Sequence, residues 1–501
     1  MFNDLRERLL KYGNNLALIV KGVKFSYRQV VDMSDALSHK LNQLGCANSK
    51  RVAILGNRNY FDYISILAII FARCAYVPIN PRLNSERILF ILRKSEANIL
   101  LIDNSTVSIY ESLIEIGLES TKLQYIINTE NDECIWQGGT SISSDFEDGV
   151  YIMFTSGTTG EPKGVPINKT QLNSYFSSIL SKYPIYSSDI VVNTCELSFD
   201  VSVHEIFIAL LSGAALLVID NSSSLLAHRY VQKYGATIWS SVPSVVSFAS
   251  KAKQMQINSM PTIRMAFFCG EALTCQTVDV IFSASSSCES VINLWGPTEA
   301  TIAFTHYKVN RSDNYSDFDV IPIGNVLDGQ KIMIFDPVNN LEVVEANTSG
   351  ELLQTGSQVI NEYWLAPELS DGRFIEIDGL IWYRSGDLTK FLNNTYHYLG
   401  RVDRQIKFKG YRIELQDLES SIRKCLNEKL VCIVPKYTGS EISDLVAFLS
   451  SDKKYDSAHA LDIINSTIPG YIKISELNLI DDMPLNLNGK IDYSLLTKLI
   501  N

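Results

Sequence analysis

The sequence has no CxxC pair. Its nine cysteines are an odd number scattered along the chain, and in a chain this long they read as reduced thiols of a cytoplasmic protein. It has no apolar signal core over its first fifteen residues: MFNDLRERLLKYGNN is amphipathic and charged. It has no uninterrupted apolar run long enough to span a bilayer, Phe61–Ala75 included. It has no long basic run and no basic stripe interleaved with aromatics. With a net charge of −11, nucleic acid is excluded as the main partner, and an acidic partner would need a local basic patch. Internal repeats are absent, and so is the GxxxxGK[ST] phosphate loop.

What is present is an ordinary globular balance, 46% apolar and 20% charged, over 501 residues. One core does not grow that large, so two or more domains are expected. Through about residue 130, helical patterns (LRERLLKY, YRQVVDMSDALSHKLNQLG) alternate with short β-rich runs (RVAILG, AYVPIN, ANILLID). That alternation predicts α/β layers with largely parallel sheets. Residues 136–149 are polar and Gly/Ser-rich and read as a loop. Their QGGTSI only superficially resembles the site at which a carrier protein accepts phosphopantetheine. Helices and strands alternate again over 170–340. From Gly350 the spacing shortens to turn-punctuated strands, followed by helix over 414–428 and strand over 430–450.

The strongest local signal is Phe154-Thr-Ser-Gly-Thr-Thr-Gly-Glu-Pro-Lys-Gly164. A strand runs into a loop of glycines and hydroxyls that ends in Lys163. Glycines let backbone N–H groups approach phosphate oxygens, hydroxyls add donors, and a lysine adds a point charge.

This loop resembles the phosphate loop of the adenylate-forming (ANL) superfamily, which includes acyl-CoA synthetases, luciferases and peptide-synthetase adenylation domains. Further blocks match in order: Asn293-Leu-Trp-Gly-Pro-Thr-Glu299, Tyr383-Arg-Ser-Gly-Asp387-Leu, Gly400-Arg-Val-Asp through Tyr411-Arg-Ile-Glu414, and Pro484-Leu-Asn-Leu-Asn-Gly-Lys490. The resemblance implies a large N-terminal domain (1–402) of two α/β layers plus a β-barrel-like part. It also implies a small, hinged α+β C-terminal domain (403–501), with the hinge at Asp403. It implies carboxylate attack on the α-phosphate of ATP, with Mg²⁺ and departure of pyrophosphate, then transfer to a thiol. Charge grows on phosphate oxygens in that reaction, so donors must be pre-placed. Thr155, Ser156, Thr158, Thr159 and Lys163 are the candidates on the loop. By the same resemblance Glu299 holds Mg²⁺, Thr298 touches the α-phosphate, Asp387 and Arg401 take the ribose, and Gly270 and Asn293 line the adenine site. Trp295 stands where tyrosine is usual, and either ring can stack on adenine. Lys490 bridges the attacking carboxylate and the α-phosphate. IPGYIKI departs from the usual pattern at Lys473.

Ser198-Phe-Asp200-Val-Ser-Val-His204-Glu resembles the amino-acid-activating branch, in which Asp200 pairs with the substrate ammonium. A fatty acid cannot repay that buried charge. An Asp opening a helix can also serve as its N-cap. The branch's side-chain pocket falls on Val201, His204, Ser240, Phe267, Cys269, Leu294, Ile302 and Ala303. Phe267 and Leu294 take volume, which implies a small substrate, while His204, Ser240 and Cys269 offer a polar edge. Phe268-Cys-Gly-Glu271 and Trp239-Ser-Ser-Val-Pro-Ser244 are similar to the D-alanine–carrier protein ligases, but His204 stands where those usually carry methionine. D-alanine, L-alanine, glycine and serine all stay open. The expected acceptor is a phosphopantetheinylated carrier protein supplied in trans. The competing readings are an acyl- or aryl-CoA ligase, against which Asp200 argues, and a non-catalytic nucleotide-binding scaffold. Intact Lys163, Glu299, Asp387, Arg401 and Lys490 argue against the scaffold.

Overall fold

The structure is a computed structural model that describes residues 1–46, 50–131, 133–138, 144, 146–155, 162–219, 226–336, 341–342, 348–428, 430–439, 441–450, 455–484 and 491–500. Two large sheets dominate it. In the nine-stranded sheet, strands Leu16–Val20, Ala215–Val218, Ile190–Asn193, Ile238–Ser241, Met265–Phe268 and Ser290–Trp295 run parallel. Antiparallel strands close both edges. The seven-stranded sheet is built likewise around Arg51–Leu55, Ala75–Ile79, Ile99–Ile102, Tyr125–Asn128 and Gly149–Thr155.

Strand residues alternate between two cores, as parallel sheets covered on both faces require. Leu18, Val191, Leu216 and Phe267 join the apolar cluster between the sheets, which also takes Val52, Ile54 and Tyr76 from the second sheet. Their neighbours Ile19, Val192, Leu217 and Phe268 face the opposite cluster. The helix Asp200–Ser212 lies in the central layer, with every residue from Asp200 to Leu211 buried. It ends at Gly213, φ 76°, where a Cβ would meet the Tyr12 ring at 2.3 Å. Asp200 sits in the first turn of this helix, and the N-cap is Phe199.

A six-stranded antiparallel sheet over Gln330–Arg401 forms the part expected to be barrel-like. Beyond it come the hairpin Gln405–Phe408/Tyr411–Glu414 and a three-stranded sheet of Leu430–Thr438, Glu441–Ser450 and Ile474–Ile480. Two apolar clusters made wholly of residues from Ile406 onward form its own core. The loop expected over 136–149 begins later, because strand Glu133–Gln137 extends into it. Most of QGGTSI lies outside the described residues. No helix among the described residues is long and apolar enough to cross a membrane.

Candidate active site

Parallel strands deliver their C-terminal ends to one side of the sheet, where α/β proteins build sites. Thr155 ends strand Gly149–Thr155 and pairs in register with Lys163, which opens the next strand. The phosphate-loop candidates Ser156, Thr158 and Thr159 lie outside the described residues, as does Lys490.

Glu299 follows strand Ser290–Trp295 in a short 3-10 turn, Thr298–Ala300, and is fully buried. Its Oε1 accepts from the Tyr363 hydroxyl at 2.8 Å, and its Oε2 accepts from the Arg412 guanidinium at 2.6 Å. Burial alone would raise this carboxyl. The charges of Arg412 and Lys163 overturn that and hold it at about 2. Lys163 lies 4.9 Å over the Tyr363 ring, and burial brings it down to about 8. The turn after Glu299 is strained. Thr301 and Ile302, both β-branched, have φ of 59° and 71°. Gln358 ties it down: its backbone carbonyl takes the Thr301 hydroxyl at 2.6 Å, and its amide donates to the Ala303 carbonyl at 2.9 Å.

Asp200 is buried near Tyr76, Tyr151 and Tyr175, whose hydroxyls are held neutral chiefly by burial and further by the charge of Asp200. Burial raises Asp200 to about 6, and the Thr298 hydrogen bond only partly offsets this. Asp200 Oδ2, Tyr151 Oη, Thr155 Oγ1, His204 Nε2 and Trp295 Nε1 are buried with no partner among the described residues. Buried polar atoms are rarely left unpaired, so several on predicted site residues indicate a ligand that completes them. His204 Nδ1 and the Tyr175 hydroxyl share a bond of 2.7 Å, and Phe267 packs edge-on to the imidazole at 5.0 Å. Burial lowers His204 to about 3, so it is neutral. Cys269 Sγ lies 3.8 Å from the Ile302 carbonyl, and burial pushes this thiol up to about 12, which makes it a packing group rather than a nucleophile. Val201, Phe267, Cys269, Leu294, Ile302 and Ala303 share one apolar cluster. Ser240 pairs with Phe267 in register, and its carbonyl takes the Thr194 hydroxyl.

A cavity of about 80 Å³ joins Thr155, Asp200 and Thr298 to Tyr411, Arg412 and Tyr471. A larger cleft of about 700 Å³ is lined by Asn293, Trp295, Ile321, Arg401 and Asp403. The Asn293 amide donates to the Ile321 and Pro322 carbonyls. Gly270, φ +90°, lies against Val242. Asp387 is paired with Arg401, which also donates to Asp403 at 2.6 and 2.9 Å. Gly386 makes room for this ion triad: a Cβ there would lie 2.6 Å from Arg401 Nη2.

The residues missed from sequence are the partners: Tyr151, Tyr175, Gln358 and Tyr363, and the role of Arg412 at Glu299. The block GYRIE contained Arg412. The others carried no local signal.

Compared with known proteins, a family model described as AMP-binding enzyme matches residues 5–364. The chain is 28% identical to a D-alanine–D-alanyl carrier protein ligase of Bacillus licheniformis, over 97% of this chain and 98% of that protein. It is 27% identical to a part of tyrocidine synthase 3 of Brevibacillus parabrevis, over 98% of this chain but 7% of that protein's length. Among solved structures, the Vibrio cholerae adenylation domain AlmE, in complex with glycyl-adenosine-5'-phosphate, superposes with a TM-score of 0.87 at 27% identity, over 99% of this chain and 97% of that one.

Proposed function

The chain belongs to the AMP-binding enzyme family, and from that premise we propose that it uses ATP to convert a small amino acid to aminoacyl-AMP. Pyrophosphate leaves, and the acyl group passes to the phosphopantetheine thiol of a carrier protein. The observation that carries the amino-acid reading is Asp200: a buried carboxylate with Oδ2 unpartnered, in a cavity beside Thr298. An α-ammonium supplies the missing donor and charge. An acyl- or aryl-CoA ligase has no use for it. A small substrate fits the bulk of Phe267, His204 and Leu294 and the D-alanine and glycine named for the two relatives.

In the first half-reaction the substrate carboxylate attacks the α-phosphate. Thr298 and Lys163 are the described donors for the growing charge, and Lys490 bridges the two reactants. Magnesium, when bound with the nucleotide, supplies charge neutralisation at the phosphates. Glu299 would hold it once Arg412 withdraws, the cation's own charge taking over Arg412's part in keeping the carboxyl ionised. No group of three or more metal-ligating side chains occurs among the described residues. That suits a cation held by one carboxylate plus phosphates and water. Asn293, Trp295, Asp387 and Arg401 serve the nucleotide. In the second half-reaction the C-terminal domain, 403–501, turns about Asp403 and the 405–414 hairpin enters. Supporting this, Arg412 reaches Glu299 and Tyr411 packs edge-on to Phe199 at 4.9 Å. Ile491, next to Lys490, packs against the Cys432 and Val434 cluster instead.

Pyrophosphate exchange across all amino acids, both enantiomers, tests the reading. Glycine, alanine or serine should lead, and best turnover with a fatty acid, an aryl acid or tryptophan would overturn it. Leu294→Ala should admit larger side chains with a modest gain, because one methylene is worth only ~1–3 kcal/mol. An unchanged profile would remove Leu294 from the pocket wall.

A pH dependence follows from Asp200. Below about 6 the empty site holds it neutral, and above that it is the anion the ammonium needs. The amino-acid KM should therefore fall as pH rises through about 6, ~10-fold per unit on the acid side. It should flatten above, while Asp200→Asn shows no such slope. A KM that rises over this range would remove Asp200 from the ammonium site.

A further inference from the structure

We propose that Glu271 is the positioning residue that holds the 405–414 hairpin in the active site for thiol transfer, an inference that rests on the two-step reading above. The hairpin turns at Lys409 and Gly410, φ 52° and 82°, between the paired residues Phe408 and Tyr411. Such a two-residue turn leaves the central N–H groups outside the strand ladder, so the Gly410 N–H needs an acceptor from elsewhere. Glu271 Oε1 supplies it at 2.5 Å. A side chain at Gly410 would crowd Val242, whose methyls lie 3.2 Å from the position of a Cβ.

Glu271 is itself fixed. Its Oε2 accepts from the Ser244 amide at 2.8 Å, and its Oε1 also takes the Ser244 hydroxyl at 3.1 Å. Ser244 lies in the first turn of helix Pro243–Lys251, where backbone amides lack helical partners and favour an anion. Further along the same helix a second contact with the C-terminal domain forms: the Ser247 hydroxyl and Lys251 ammonium reach Glu441 at 2.6 and 2.8 Å. One helix thus reaches the domain twice: at its N-terminus through Glu271, which touches the hairpin, and directly through Ser247 and Lys251. When the hairpin withdraws, Glu271 loses one of its donors and keeps the Ser244 pair. The contact is therefore specific to the pose seen here.

Glu271→Ala removes the acceptor. Glu271→Gln keeps the shape, but its single oxygen cannot serve both the Gly410 and the Ser244 amides. In the ligand-free full chain, hydrogen exchange of peptides spanning 405–414 should quicken ~10-fold in Glu271→Ala, the size of a lost charge-assisted bond. Transfer from preformed adenylate to free pantetheine should fall ~10-fold in both variants. Pyrophosphate exchange and the amino-acid KM should stay at wild-type values, and Glu271→Asp should recover part of the transfer rate. Hairpin exchange unchanged in both variants, or equal losses in both half-reactions, would overturn the assignment. A wild-type enzyme that exchanges pyrophosphate with no amino acid would sink the functional reading instead, and the hydrogen-exchange result would still decide the role of Glu271.

Discussion

Asp200→Asn is expected to raise the amino-acid KM by roughly 10²-fold and to leave the KM for ATP nearly unchanged. Removing one partner of a buried, hydrogen-bonded charge pair costs about 2–5 kcal/mol, because the other charge stays buried without its counterion. The nucleotide touches other residues, so its binding is spared. The same change should not destabilise the empty protein. Asp200 has a folded value of about 6, above the ordinary 3.8. Its ionised form is therefore disfavoured by folding. This cost sets in as pH rises above 3.8 and is complete above about 6. Near neutrality it amounts to about 2–3 kcal/mol, and asparagine removes it. A melting temperature at or above wild type, together with the weakened amino-acid KM, is the expected pair of results. A protein that loses both stability and ATP affinity would mean that Asp200 holds the fold rather than the substrate.

Lys490→Ala should cut adenylate formation by ~10²–10³ and leave transfer from preformed adenylate near the wild-type rate. A single contact made only in the transition state is worth about 3–4 kcal/mol. The described geometry explains why transfer should be spared: with the hairpin seated, Arg412 meets Glu299 and the chain from Ile491 onward lies on its own domain's sheet. Single-turnover measurement of each half-reaction separates the two. Equal loss in both would mean that Lys490 does not act in adenylation alone.

The fold and the candidate site were legible from sequence to different depths, for a physical reason. The groups proposed for phosphate, metal and ribose each need several adjacent backbone or side-chain groups, so they leave contiguous patterns such as FTSGTTGEPKG and NLWGPTE. The alternation of helices and strands was likewise legible, because covered parallel strands must be apolar on both faces. The partners were not. Tyr151 and Tyr175 come from a strand and a helix, 24 residues apart, and lie near Asp200 only because the two sheets close over the central helices. Tyr363 and Gln358 reach the Glu299 turn from the far side of a long stretch of chain. A lone tyrosine or glutamine has many ordinary uses, so nothing in its neighbours marks it. Glu271 is intermediate. It stands in a block that was noted for Cys269, yet its acceptor role appears only when the hairpin, 139 residues later, is placed beside it.

The helix Asp200–Ser212 carries both the carboxylate proposed for the ammonium and, one turn on, the His204 imidazole. Four residues of helix rise about 6 Å, and complete burial leaves this rod nowhere to slide. On the proposed roles it works as a gauge with its zero at the ammonium. Side chains are measured by length from that fixed mark, and exchanging residue 204 resets the upper limit without moving the zero. Changing what the enzyme accepts and keeping it able to grip any amino acid are, on this scaffold, separate problems.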